Sequence, residues 1–285
     1  MNYSSSANVN SDMHTSPRRR HVLSVCMLAC SAVAAAHAQQ SKPAIDQMLS
    51  RVEANTEQYK ASVPSFVCDE HITSQEIHEG KTRHETTVDA LFRVSRSASQ
   101  GGALTESREI KTVNGKPSGD KKLNMPIAFS GGFSGALAKF LSADHHSCFD
   151  YQPDSSAPRQ AGAEAYTFTA REAALKEPAC SSIQPGTSGK FVIDSASMQV
   201  THIERTVPNP VGKDRDILGT AAVDFAAVTL NGQSFWLPVT ITAFTTETPK
   251  TDGFRFTAHY SNYHRFAASS VILPTTDSPT SPPSE

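Results

Sequence analysis

The sequence predicts a mainly β protein: one large curved antiparallel sheet, a half-barrel, with an N-terminal helix and one inserted helix. Three observations carry this. Apolar residues alternate with a period of two in several runs, Asn-Gly pairs stand between strand-like runs, and no strand–helix alternation of the kind that builds a parallel sheet occurs.

The two ends lie outside that fold. Arg18-Arg19-Arg20 supply a positive region, the apolar run Val22–Ala36 follows, and Ala36-His37-Ala38 forms a small-residue cleavage signal. Residues 1–38 therefore read as a signal peptide. The apolar run, about 15 residues, falls short of the roughly 20 that a helical membrane span needs. Arg19-Arg20 match a twin-arginine signal loosely. Met27-Leu28-Ala29-Cys30 is a weaker lipoprotein box; its use would acylate Cys30 and anchor the protein. Residues 274–285 hold four prolines with Ser and Thr and no apolar residue, the composition of a disordered tail. The protein is thus expected to be exported to the periplasm or beyond.

Composition narrows the function. The formal net charge of the 285 residues is −2, and the leader carries three Arg against one Asp, so the mature chain is more acidic still. That balance argues against a nucleic-acid partner, which leaves a basic footprint. Removal of both ends leaves about 230 residues, enough for one large β domain or two small ones; residues 64–273 read as a single β domain. Of five cysteines, Cys68, Cys148 and Cys180 remain after cleavage. In an oxidising compartment three thiols imply one disulfide and one left over. Antiparallel pairing of the runs near Cys148 and Ala165–Glu172 brings the chain back toward Cys148 shortly before Cys180, which favours Cys148–Cys180. Cys68 with either of the others is the alternative; unpaired, Cys68 fits a buried apolar site.

The elements follow in order. Residues 39–63 place Ile45, Met48, Leu49, Val52 and Tyr59 on one helical stripe, with Pro43 in the first turn and Pro64 at the end. Beyond Pro64 the period becomes two. Val88, Ala90, Phe92 and Val94 share a face; so do Tyr166, Phe168 and Ala170, and Phe254, Phe256, Ala258 and Tyr260. Asn114-Gly115 and Asn231-Gly232 read as hairpin turns. Phe191–Ile193 and Met198–Val207 form a further hairpin, turning at residues 194–197. Pro238 sits inside a strand pattern and marks an edge or a bulge. About nine to eleven strands result, and a sheet of that size curls.

Several residues invite chemical readings. Gly132-Phe133-Ser134-Gly135-Ala136 is one residue from the G-x-S-x-G elbow that presents a nucleophilic serine. The elbow needs an uninterrupted strand before it, and Pro126 interrupts this one. The bland reading is a glycine-rich entry to a packing helix at 133–142, with Phe133, Leu137, Phe140 and Leu141 inward. The same glycines lack the G-K-[ST] ending of a phosphate loop, and Lys139 comes too late to supply it. His71, His78 and His84, and His145-His146, show no metal-ligand spacing; His71 and His78 face opposite sides if their strand is regular. Glu70, Glu76, Glu85, Glu106 and Glu109 fall on polar strands whose outward face is expected to carry charge. No catalytic residue, metal ligand or cofactor is nominated.

The segment order resembles a family of secreted soil-bacterial proteins without an assigned function. The residues that carry it are 63–72, the Gly-Phe stretch at 131–142, 189–206, 223–238 and 260–272. Residues 189–238 also resemble the outer-membrane lipoprotein carrier (LolA-like) superfamily at the level of pattern. That resemblance implies a half-barrel whose concave side is plugged by helices and, in carriers, holds acyl chains; it transfers no binding residue. The leading expectation is a non-catalytic exported envelope protein that binds a hydrophobic ligand or lipidated partner in the curved sheet. The alternatives are a structural or protein-interaction module of the envelope, and a serine hydrolase using Ser134.

Overall fold

The computed structural model describes residues 44–96, 102–119, 123–157, 160–208, 218–247 and 252–266. The expected signal peptide, Cys30 and the C-terminal tail lie outside them. The chain divides into two compact units, residues 1–46 and 47–285. Only 44–46 of the first are described, as the start of a helix; the sheet and its core belong to the second. No helix among the described residues is long and apolar enough to cross a membrane.

Eleven strands form one open antiparallel sheet: β1 (Phe66–His78), β2 (Lys81–Arg96), β3 (Leu104–Val113), β4 (Lys116–Pro117), β5 (Phe149–Pro153), β6 (Ala163–Ala170), β7 (Ser188–Asp194), β8 (Val200–Pro208), β9 (Leu218–Leu230), β10 (Gln233–Glu247) and β11 (Asp252–Arg265). The spatial order is β4-β3-β2-β1-β11-β10-β9-β8-β7-β6-β5. Every neighbouring pair except β1–β11 is consecutive in the chain, as short hairpin connections favour.

The apolar phase read from the sequence is the buried one. Val88, Ala90, Phe92 and Val94, then Phe168 and Ala170, then Phe256, Ala258 and Tyr260, all lie in the core. Asn114-Gly115 and Asn231-Gly232 each take positive φ at both positions, the conformation of a type I′ hairpin. A third such turn, Glu79-Gly80, joins β1 to β2. Glu79 is an uncommon residue there; its backbone N–H donates to the Asp252 carboxylate at 2.7 Å. Pro238 lies in an interior strand and is accommodated by a register shift between Pro238 and Thr240. The β7–β8 turn is held by Asp194, whose carboxylate accepts from the Ser197 N–H and hydroxyl.

One topological fact organises the interior. β4 and β5 follow each other in the chain but form opposite edges of the sheet. The connection from 118 to 148 must therefore cross all eleven strands, about 48 Å if they lay flat. It crosses as a strap over the inner face. Ser74 on β1 meets Ile127, Phe133 packs against Phe66, Phe92 and Tyr260, and Phe140 packs against Phe149 and Phe168. The strap comes so close at Gly132 that a Cβ there would stand 2.2 Å from Ile241.

The inserted helix expected at 133–142 takes a looser form within this strap. Residues 132–140 are a run of turns, with Gly135 N–H bonded to Gly131 O and Lys139 N–H to Gly135 O, and a 3₁₀ helix, Ala143–Cys148, follows. Glycines at 131, 132 and 135 weaken a continuous helix. Phe133, Leu137, Phe140 and Leu141 are nonetheless all buried, as the helical reading required. Over the strap and the β7–β8 turn lies the helix α1, residues 44–62. Its Met48, Leu49 and Val52 are buried, Asn55 donates to the carbonyls of Ser197 and Met198, and the Tyr59 hydroxyl donates to Phe133 O at 2.7 Å.

Candidate functional site

Two inward-facing charges on β3 fasten the strap at one end. Glu106 accepts hydrogen bonds from the backbone N–H groups of Gly131 (2.7 Å), Phe133 (3.0 Å) and Ser134 (2.8 Å), and from the Ser134 hydroxyl (2.9 Å). Gly131 adopts φ +85° to aim this row of donors. The glycine-rich stretch is thus an anion nest of the kind that binds phosphate elsewhere, and the protein's own carboxylate fills it. Ser134 takes part as a donor to that carboxylate. Among the described residues its hydroxyl bonds to Glu106 and to no imidazole, so the base that a nucleophile elbow needs does not stand beside it.

Beside the nest lies a buried ion pair. Glu70 on β1 is 1% exposed. Its carboxylate accepts from Arg108 Nε at 2.6 Å and from the Tyr260 hydroxyl at 2.8 Å. Arg108 also donates to Phe129 O at 2.8 Å and stands 5.1 Å over the Phe92 ring. Desolvation alone would lower the Arg108 pKa; the bond to Glu70 and its charge overcome this and raise it. Tyr260 is held far above the ordinary phenol range by burial first and by the Glu70 charge second.

This corrects the expectation for the glutamates. Glu85 and Glu109 are exposed on the outer face, but Glu70 and Glu106 point inward. Both sit in phase with apolar residues of their strands, Phe66, Cys68 and Ile72 in β1 and Leu104 and Ile110 in β3. That phase was the available signal.

Toward β8 and β9 the strap, partly through the same stretch from Phe129 to Gly135, leaves a cavity of about 180 Å³. Phe129 and Phe140 of the strap and Ile203, Ala221 and Val223 of the sheet line it. Small residues make the room: Ala221 on the sheet, and Gly131, Gly135 and Ala136 on the strap. Into this apolar space project two cations, Arg205 of β8 and Lys139 of the strap, with no acidic residue in the lining. Arg205 is in phase with the buried Ile203 and Val207, so the strand turns it inward. Its guanidinium stands 5.9 Å from the Phe129 ring centre and 5.8 Å from that of Phe140.

Neither cation has a hydrogen-bond or ion-pair partner among the described residues. Burial pushes the Arg205 guanidinium down with nothing to oppose it. Lys139 is pushed down by burial and then by the Arg205 charge. A desolvated cation without a counter-ion is costly, and this one is paired with a second.

The remaining candidates resolve as structure. A disulfide joins Cys148, at the end of the strap, to Cys180, at the end of the short 3₁₀ helix Pro178–Cys180. The return of β6 beside β5 brings them together, with Arg171 N–H bonded to Cys148 O. Cys68 is free and buried, and burial, then the Glu70 charge, hold its thiol well above the ordinary range. The register shift between Glu76 and Ile77 in the β1–β2 ladder reverses the phase of β1, so His71 and His78 are both exposed rather than on opposite faces. His71 pairs with Asp89 and His78 with Asp252. His146 pairs with Glu53 of α1, and His145 lies against Ser142 and the Ala138 carbonyl. Among the described residues no group of three or more His, Cys, Asp or Glu is placed to hold a metal ion.

No protein-family model and no curated protein matches the chain. Two solved structures are similar to the chain. A DUF1329 family protein from Desulfovibrio piger is similar at a TM-score of 0.44 and 8% identity, over 79% of this chain and 94% of that one. A LolA superfamily protein from Nitrosomonas europaea is similar at a TM-score of 0.33 and 10% identity, over 76% of this chain and 93% of that one.

Proposed function

We propose that this is a non-catalytic exported envelope protein that binds a small hydrophobic ligand between its strap and strands β8 and β9. The observation that carries the reading is the cavity of about 180 Å³ walled by Phe129, Phe140, Ile203, Ala221 and Val223. It falls below the range of roughly 300–1,000 Å³ typical of drug-sized ligands. It matches instead an apolar cavity of about 150 Å³ that takes benzene. A full acyl chain does not fit beneath the strap as it lies, so the ligand is a compact one. The Cys148–Cys180 disulfide supports an oxidising compartment, since such bonds persist outside the reducing cytosol.

The test is binding of small apolar probes to the purified protein, read by calorimetry, beside native mass spectrometry for a retained ligand. Ala221→Leu is expected to fill the cavity and abolish probe binding while the far-ultraviolet spectrum stays unchanged. Absence of both a retained ligand and any probe binding to the unsubstituted protein would end the reading.

A further inference from the structure

We propose that the ligand of this pocket is a small carboxylate with an apolar body of about six to eight carbons, its head taken by Arg205 and Lys139. The inference rests on the cavity being a ligand site and names the chemical class that it takes.

Charge on the inner face of the sheet is unevenly satisfied. Among the described charged side chains where the strap meets that face, those of β1 and β3 are satisfied within the protein, whereas Arg205 of β8 and Lys139 of the strap are not. Glu70, Arg108 and Tyr260 satisfy one another, and Glu106 is saturated by the strap. Arg205 and Lys139 share one small cavity with no acidic lining residue. Two like charges in apolar surroundings repel and lose hydration; one anion between them relieves both costs.

The wall chemistry then fixes the rest of the molecule. The guanidinium stands over the Phe129 and Phe140 rings, which accept no N–H hydrogen bond from it among the described contacts, so its N–H fork is left for another acceptor. A carboxylate matches that fork with two parallel hydrogen bonds, and Lys139 adds a point charge. Ser130 is the one uncharged polar side chain in the lining, and Ile203, Ala221 and Val223 offer none, so the body behind the head is mainly hydrocarbon. The volume limits that body to about the size of benzene or a short alkyl chain.

Three probes of one length separate the head from the body: octanoate, 1-octanol and octylamine, titrated calorimetrically into the full chain at pH 7. Octanoate is expected to bind about tenfold or more tighter than octanol, the ratio expected of charge-assisted hydrogen bonds, and octylamine weakest of the three. Arg205→Gln is expected to remove most of the advantage of octanoate over octanol, leaving the part that Lys139 supplies. Lys139→Gln, on the strap rather than in the sheet, is expected to reduce the same difference in part, and reads it independently should the first variant fold poorly.

Equal binding of octanoate and octanol, or tighter binding of octylamine, would overturn the carboxylate and leave the apolar pocket standing. Failure of all three probes to bind would remove the pocket itself, and the inference with it.

Discussion

Arg108 and Arg205 stand at inward positions on β3 and β8, under the same strap, and each lies against strap aromatics or strap backbone. Their surroundings are opposite. Arg108 meets Glu70 at 2.6 Å and the Phe129 carbonyl at 2.8 Å, and its pKa rises despite desolvation. Arg205 meets the faces of two rings and a cavity, and desolvation lowers it unopposed. A cation brought inside a sheet has to be paired by something. Where the protein supplies the counter-charge, the arginine serves as a fastening. Where it supplies none and leaves space, the missing counter-charge describes a ligand.

The largest effect is expected where the comparison is broken on the paired side. Arg108→Met removes the partner of a carboxylate whose side chain is fully shielded from water, and its own side chain is 18% exposed. Removal of one member of a buried pair costs about 3–5 kcal/mol because the other is left unpaired. Denaturant unfolding should show that loss, and restoration of most of it when Glu70→Leu is added. A loss below about 1 kcal/mol would mean that Glu70 is not buried as a charge.

How much of the molecule is legible in the sequence depends on the range of the interaction. The period of two identifies the core of β2, β6 and β11 directly, because side-chain alternation is a local property of extended backbone. Asn114-Gly115 and Asn231-Gly232 mark their hairpins for the same reason: only a few residues accept positive φ. Glu79-Gly80 escapes the rule because the Asp252 carboxylate, distant in sequence, stabilises the turn. The edge positions of β4 and β5 are not legible at all, since they depend on the long-range pairing of β1 with β11. Without them, residues 133–142 read as an inserted helix rather than as part of a strap.

The site lies between these extremes. Arg205 shares the phase of Ile203 and Val207, and Glu70 that of Phe66, Cys68 and Ile72. A charge in an apolar phase is visible in the sequence once outward placement is not assumed. Which of the two has a partner is not visible, because Arg108 and Glu70 are 38 residues apart and the strap that closes over Arg205 comes from elsewhere.

A smaller effect is expected where the strap is held by its backbone. Glu106→Gln keeps the shape of the side chain but presents an amide N–H₂ where two oxygens accepted four hydrogen bonds. Loss of charge-assisted bonds of this kind costs about 2 kcal/mol. Hydrogen exchange sharpens the comparison more than global stability does. The amides of Gly131, Phe133 and Ser134 should lose protection, while those of β8 and β9 keep theirs. Uniform loss across the sheet would show that the nest supports the fold as a whole rather than one end of the strap.

The smallest effect, and the one of opposite sign, belongs to the unpaired side. Arg205→Met removes a cation with no counter-charge and replaces it with an apolar chain that reaches the same space. The substitution forfeits two stacking contacts, each worth about 0.5–1 kcal/mol at most in a partly wetted site. It also relieves the desolvation of Arg205 and the repulsion it exerts on Lys139. The balance is expected to fall between no change and a gain of about 1 kcal/mol in unfolding free energy. The same arginine-to-methionine exchange at 108 is expected to cost several times that amount, so the two variants measured side by side test the comparison without reference to any ligand. A loss at 205 as large as that at 108 would mean that Arg205 is a fastening too, with a partner in the folded protein, and the cavity beside it would then need no anion.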